Sequence, residues 1–179
     1  GKLSLRWQFK AGQNINDNVN SEYIGEGAHS LSIGDVDGDG RDEIIYGAAA
    51  IDDDGRGLYS TTLGHGDALH MSDMDPTRPG QEIFMVHEDP SSHQGVGGEF
   101  RDAATGELIF AIPGSGDIGR GVAADIDPNS PGYEMWASVE NAKVYSGAGS
   151  PLYDMPANMF INFVVWWDAD LTRELLDGT

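Results

Sequence analysis

Nine residues in the first quarter of the chain, Asp35-Val-Asp37-Gly-Asp39-Gly-Arg41-Asp-Glu43, place oxygen donors at positions one, three, five and nine. The carbonyl of Arg41 is available at position seven, and the glycine at position six allows a tight turn. This is the loop logic of an EF-hand without its helices. Calcium takes roughly six to eight hard oxygens on a flexible arc, which carboxylates spaced by two along a turning backbone can supply, whereas zinc would want nitrogen or sulfur. The competing reading is a merely solvated acidic turn.

The same unit recurs. SIGDVDGDGRDEIIYG, MSDMDPTRPGQEIFMV, AADIDPNSPGYEMWAS and VWWDADLTRELL each read as a short apolar strand, an Asp-x-Asp loop, and a Glu leading into another apolar strand. Taking Asp35, Asp73, Asp125 and Asp168 as the leading aspartates, the spacings are 38, 52 and 43 residues, within or near the roughly 40–50 of a four-stranded propeller blade. The second and third loops keep Asp73, Asp75, Glu82 and Asp125, Asp127, Glu134, but proline stands where the third aspartate would be. They hold fewer donors, and their carboxylates could instead cap backbone N–H groups. In the fourth, Asp168, Asp170 and Glu174 lie closer together. Metal in these loops, near 35–43, 73–82, 125–134 and 168–174, would be structural, pinning one strand to the next.

Elements that could position such loops are legible. The stretch from Gly57 to Thr62 is strand-like, Glu99 to Ile112 forms two strands around Ala104-Thr105-Gly106, and no segment longer than about ten residues keeps a helical period. The expectation is one all-β domain over residues 1–179, made of four-stranded antiparallel propeller blades, about four in number. Leu3, Leu5, Trp7 and Phe9 alternate and suit one strand, and Asn14 to Asn20 is polar. The last repeat stops at Thr179 just after its first hairpin, leaving that blade incomplete. Trp166 and Trp167 should point to opposite faces of a strand, one packing between blades and the other free to stack on a sugar.

Composition narrows the function. Thirty acidic against 10 basic side chains give a net charge of -20, which would repel itself in a compact state unless cations neutralise it. No basic stripe is present to contact phosphates, so nucleic acid is excluded as a partner. With no cysteine there is neither a disulfide framework nor a thiolate site. No run approaches a membrane span and no signal segment opens the chain, so a soluble mature protein or an internal piece of one is expected, without a membrane partner.

Outside the loops, His29, His65, Asp67 and Glu88 sit just before strands or at strand ends in two successive repeats. In a propeller such corresponding positions converge on one face around the central channel. Arg120, after a glycine-rich turn, could hold a uronate carboxylate as a bidentate partner, or neutralise nearby aspartates. His70, on a strand among apolar neighbours, is a second substrate-binding candidate beside its plainer reading as an interior histidine. His87 and His93 are weaker candidates.

The acidic loops resemble the FG-GAP repeats of integrin-like propellers. Taken in order, GEGAHSLSIGDVDGDGRDEI, LGHGDALHMSDMDP, GRGVAADIDP and WWDADLTRELLDGT resemble the rhamnogalacturonan lyases of polysaccharide lyase family 11. That resemblance covers essentially the whole chain. It implies a secreted, calcium-rich, eight-bladed propeller, monomeric at full length, that cleaves the rhamnose-galacturonate backbone of pectin (rhamnogalacturonan I) by β-elimination. It further implies that His29, His65, Asp67 and Glu88 hold a calcium beside the substrate groove; because histidine is an unusual ligand for that hard ion, the competing reading has His29 and His65 donating hydrogen bonds to neighbouring loop carbonyls. Such a propeller needs roughly twice this length, so the chain reads as an internal fragment. The family's lysine-bearing Asn-Gly-Thr-Lys segment would lie beyond Thr179, leaving the catalytic base and acid unassigned. The alternative is a non-catalytic, calcium-stabilised propeller for adhesion or carbohydrate binding, which has no need of the His65, Asp67 and His70 cluster or of histidines at positions 65 and 70. Convergence of His65, Asp67 and Glu88 separates the two readings.

Overall fold

Short apolar runs bounded by glycine, proline and aspartate cannot bury themselves singly, so each pairs with its chain neighbour through a tight turn. In the computed structural model, which describes residues 1–14, 16 and 19–177, this produces four antiparallel sheets. The first contains β1 (Leu31–Gly34), β2 (Glu43–Tyr46), β3 (Ala49–Ile51) and β4 (Gly57–Ser60). The second contains β5 (Gly66–Ser72), β6 (Glu82–His87), β7 (Val96–Asp102) and β8 (Leu108–Pro113). The third contains β9 (Gly121–Ala124), β10 (Glu134–Ala137), β11 (Lys143–Ser146) and β12 (Pro151–Asp154). The fourth is the pair β13 (Phe163–Val165) and β14 (Glu174–Leu176). Every sheet is a meander in chain order, as the repeats imply. A single 3-10 turn, Ser21–Tyr23, is the helical content among the described residues, and no helix there is long and apolar enough to cross a membrane.

The sheets stack face to face. Ile45 and Ala50 of the first pack on Ile83 and Met85 of the second. The opposite face of the second, with Phe84, Val86 and Phe100, packs on Ala123, Met135 and Ala137 of the third. Val122, Trp136 and Val144 of the third then meet Val164 and Leu175 of the fourth. This follows from the period of two along a strand: a sheet apolar on both faces must be covered on both. The leading strands of the sheets lie side by side, β5 touching both β1 and β9, and β13 touching β9. Each fully buried Phe, Ile or Met in these layers stabilises the stack by about 1.5–3 kcal/mol.

Two expectations are corrected. Leu3, Leu5, Trp7 and Phe9 form no strand, because no neighbouring strand offers their backbone a ladder; Leu3 and Leu5 are fully exposed. Trp7 instead donates its indole N–H to the Asp53 carbonyl at 2.8 Å, and Phe9 packs edge-on against Tyr23. Neither Trp166 nor Trp167 is buried between sheets, with exposures of 56% and 80%; Trp136 fills that role, fully buried with its indole N–H on the Phe160 carbonyl. Part of the polar stretch Asn14 to Asn20, residues 15, 17 and 18, and the end of the last repeat at 178 and 179 lie outside the described residues.

Candidate functional site

The four acidic loops occupy equivalent places. Each joins the first and second strand of its sheet, and Glu43, Glu82, Glu134 and Glu174 each open the second strand opposite the last residue of the first: Gly34, Ser72, Ala124 and Val165. Each glutamate reaches back over its own loop. Glu43 accepts from Val36 N–H at 2.9 Å, Glu82 from Met74 and Asp75, Glu134 from Ile126 and Asp127, and Glu174 from Trp167. The register corrects the fourth alignment. Because Val165 faces Glu174, the position of Asp35 is held by Trp166, and Asp168 and Asp170 correspond to Asp37 and Asp39. Their hydrogen bonds agree: Asp37 accepts from Asp39 N–H and Asp168 from Asp170 N–H, both at 3.0 Å.

Cation-ready groupings form in two of the loops. In the first, carboxylate oxygens of Asp35, Asp37 and Asp39 lie within 4.8 Å of one another, and so do those of Asp37, Glu43 and Asp52. Glu43 is fully buried, and its Oε1 has no hydrogen-bond partner. Burial pushes its pKa up, opposed by the Val36 hydrogen bond. A buried, unpartnered carboxylate oxygen beside two further carboxylates fits a hard cation. Arg41 contributes its side chain too, gripping Asp53 through both carboxylate oxygens at 3.1 and 3.2 Å and so tying the loop to the β3–β4 turn. Asp168, Asp170 and Glu174 make the second grouping.

Among the described residues the second and third loops bring no such trio together. Asp75 accepts from Thr77 N–H and Oγ1, and Asp127 from Asn129 N–H and its side-chain amide. With proline at 76 and 128 and one extra residue, the second aspartate folds onto its own turn. Glu134 nevertheless keeps a buried, unpartnered Oε1, and Asp73 and Asp125 flank the same loops. Asp52 was not singled out from sequence, since it follows β3, away from the repeat motif.

A different cluster lies at the other end of the strands. His29 precedes β1, His65 immediately precedes β5 and Asp67 is its second residue, and Glu88 follows β6, which runs antiparallel to β5, so all four share one rim. His65 Nε2 is 3.2 Å and His29 Nε2 3.6 Å from Glu88 Oε2, with the two imidazole nitrogens 3.3 Å apart. The backbone knits them: His29 N–H donates to Gly66 O and Glu88 N–H to His65 O. The Gly27 carbonyl can only accept, so the 2.5 Å contact to His65 Nδ1 makes that nitrogen the donor, and in the neutral imidazole the lone pair then lies on Nε2, toward the cluster. Two imidazoles and a carboxylate form a donor set that can hold a metal ion.

Asp67 stands outside that trio and pairs with Arg120, which also donates to the Gly119 carbonyl at 2.9 Å. Gly119 lies between them: a side chain there would meet Glu88 and Asp67 carboxylate oxygens. Beside this pair opens a pocket of about 440 Å³ lined by Ser30, Asp67, Arg120, Asn162 and Phe163 among others. His70 faces the third sheet, its Nε2 3.4 Å from the carbonyl of Gly121, the residue after Arg120, and burial lowers its pKa. His93 is buried with Nε2 on the Gly116 carbonyl. The rim cluster and the acidic loops are separated by the length of the leading strand, on the order of 20 Å for the six residues from His29 to Asp35.

Residues 1–179 match the family model described as rhamnogalacturonan lyase family 11, C-terminal domain. The chain is 51% identical over 179 residues to rhamnogalacturonan endolyase YesW of Bacillus subtilis (strain 168), covering 99% of this chain and 27% of the relative. It is 47% identical over 183 residues to rhamnogalacturonan exolyase YesX of the same organism, covering 99% and 29%. The crystal structure of YesW superposes with a TM-score of 0.81 and that of exotype YesX with 0.83, each over 91% of this chain and 27% and 28% of theirs. The chain thus spans less than three tenths of the length of these relatives, a smaller share than the half that the resemblance to an eight-bladed propeller implies.

Proposed function

The chain belongs to rhamnogalacturonan lyase family 11, and on that premise we propose that it forms part of a calcium-dependent lyase that cleaves the rhamnose-galacturonate backbone of pectin by β-elimination. The observation that carries the proposal is the meeting of His29, His65 and Glu88 beside the Asp67–Arg120 pair on one rim. Of the three residues whose convergence separates a lyase from an adhesion propeller, His65 and Glu88 meet directly while Asp67 stands beside them paired with Arg120, and the family match does not favour the adhesion reading.

The chemistry gives each group a task. Removing the C5 proton of a galacturonate places further negative charge next to a carboxylate. A calcium ion held by His29, His65 and Glu88 would draw that charge away and make the C5 proton more acidic. Arg120, exposed at the pocket mouth, can turn from Asp67 to a uronate carboxylate and clamp it in a fixed orientation. Asp67 keeps the guanidinium placed until substrate arrives. The base and acid would come from other parts of the longer protein, and the active enzyme would be a secreted monomer.

In the same reading the stacked sheets, with leading strands together, are consecutive blades of a propeller of eight. The acidic loops at the opposite rim are FG-GAP-like structural calcium sites, with Asp37, Glu43 and Asp52 the best-formed set. Ultraviolet absorbance of rhamnogalacturonan incubated with the full-length protein, in calcium and with chelator, tests the proposal. A calcium-dependent rise from the unsaturated uronide is expected, and its absence at every calcium level would sink the lyase reading.

A further inference from the structure

Three ionisable side chains lie where none would be expected, in the apolar layer between the first and second sheets. His87, Glu99 and Arg101 are all at most 1% exposed. Strand alternation puts them there: Glu99 pairs with Met85 and Arg101 with Ile83, so both share the face that those residues turn toward Ile45 and Ala50. Arg101 bonds Glu99 with one arm of its guanidinium, and with the other donates to the Gly47 carbonyl at 2.5 Å. Its guanidinium also lies over the Tyr59 ring.

The pair spans two sheets, and each end leads to the rim cluster. On the first sheet, Gly47 sits so close to Glu26 and Ala28 that a side chain there would overlap their backbone. Between those two lies Gly27, whose carbonyl holds His65 Nδ1. On the second sheet, Glu99 Oε1 is 3.4 Å from His87 Nε2, and His87 Nδ1 donates to the Gly64 carbonyl at 3.2 Å, next to His65. A buried ion pair contributes little net stability over apolar residues of the same volume, because desolvation offsets its attraction. What it supplies is a fixed geometry: a planar fork that must meet Glu99 and a carbonyl at once allows one offset between the sheets.

We propose that Arg101 and Glu99 are positioning residues, setting the offset of the first two sheets so that the Gly27 carbonyl meets His65 Nδ1 and its Nε2 faces His29 and Glu88. The inference rests on the metal reading of that cluster for its consequence, but its geometric content stands apart from it. Metal-ligating histidines are oriented by the partner of their other nitrogen, and loss of such a partner typically weakens metal affinity by about 10–100-fold.

The test uses the whole chain with ¹⁵N-labelled histidine, reading the ring nitrogens of His65 by NMR, first in chelator above the imidazole titration range and then with added calcium chloride. In the parent chain one His65 nitrogen should be protonated, Nδ1, and calcium should shift Nε2. In the double variant Glu99→Gln, Arg101→Met, which removes both charges, His65 should show mixed tautomers and need at least about tenfold more calcium, with the melting temperature in chelator little changed. Arg101→Lys, which keeps the charge but loses the planar fork, should mix tautomers to a lesser degree, and it decides the matter if the double variant does not fold. A folded variant with the single tautomer and unaltered affinity overturns the proposal. A parent chain with one tautomer but no calcium response would sink the metal reading instead, while the tautomer comparison would still judge the positioning role.

Discussion

Glu43 closes its own loop by accepting the Val36 N–H at 2.9 Å with Oε2, while its other oxygen, Oε1, is buried without a partner and the carboxylate gathers with those of Asp37 and Asp52. One oxygen serves the backbone and the other is free for a cation. Glu43→Gln should therefore have opposite signs in two buffers. In chelator the amide still accepts from Val36 and no buried charge remains, so the melting temperature should hold or rise. In calcium it should fall, because a ligand bound only to the native state stabilises by about 2.7 kcal/mol at a hundredfold excess over Kd. Thermal melts of both chains in both buffers check this, and equal shifts would mean that Glu43 holds no cation.

Arg120 is exposed and its ion pair with Asp67 is half in water, so Arg120→Ala should leave the melting temperature nearly unchanged, within about 1 kcal/mol. On the proposed lyase reading, the same change in the full-length protein removes a charge-assisted bond of about 1.5–3 kcal/mol to a uronate, and kcat/KM should fall roughly 10–100-fold. Initial rates on rhamnogalacturonan measure it.

Burial lowers the His87 pKa from its ordinary value to about 4, with the Gly64 carbonyl bond opposing and Arg101 adding to the effect. The folded chain therefore prefers neutral His87. The stability this represents is fully present above the unfolded pKa of roughly 6.5 and is lost as pH falls toward 4. Between roughly pH 7 and 5, above most carboxylates, stability should drop by about 2 kcal/mol. Denaturant melts across that window should show the slope in the parent chain and a flatter line in His87→Gln.

Trp136 is the anchor between the third and fourth sheets, fully buried against Val164 and Leu175. Trp136→Ala should cost about 3–5 kcal/mol and release the β13–β14 pair first, which amide exchange at Val164 and Leu175 would register as early loss of protection.

Periodicity, turn residues and the Asp-x-Asp repeat determined the all-β fold, the placement of each acidic loop between two strands, and the glutamate that opens the second strand. Those features are local, set by alternation and turn chemistry within a few residues. The convergence of His29, His65 and Glu88 was legible only as matching positions in successive repeats, and register delivered it.

What tertiary structure alone decided is whatever depends on neighbours distant in sequence. Asp52 joins the first loop because β3 lies beside β2. Asp67 turns to Arg120 because the third sheet packs next to the second. Trp7 and Phe9 fail to make a strand because no strand edge meets them, and Trp166 takes the position of Asp35 because ladder register, not the spacing of aspartates, aligns the loops. The burial of Glu99 and Arg101 could not be read from Glu-Phe-Arg on one strand, since alternation says that they share a face but not which face is covered. Only the stacking of one sheet on the next makes that face dry, and a dry face is what forces the two charges to find each other.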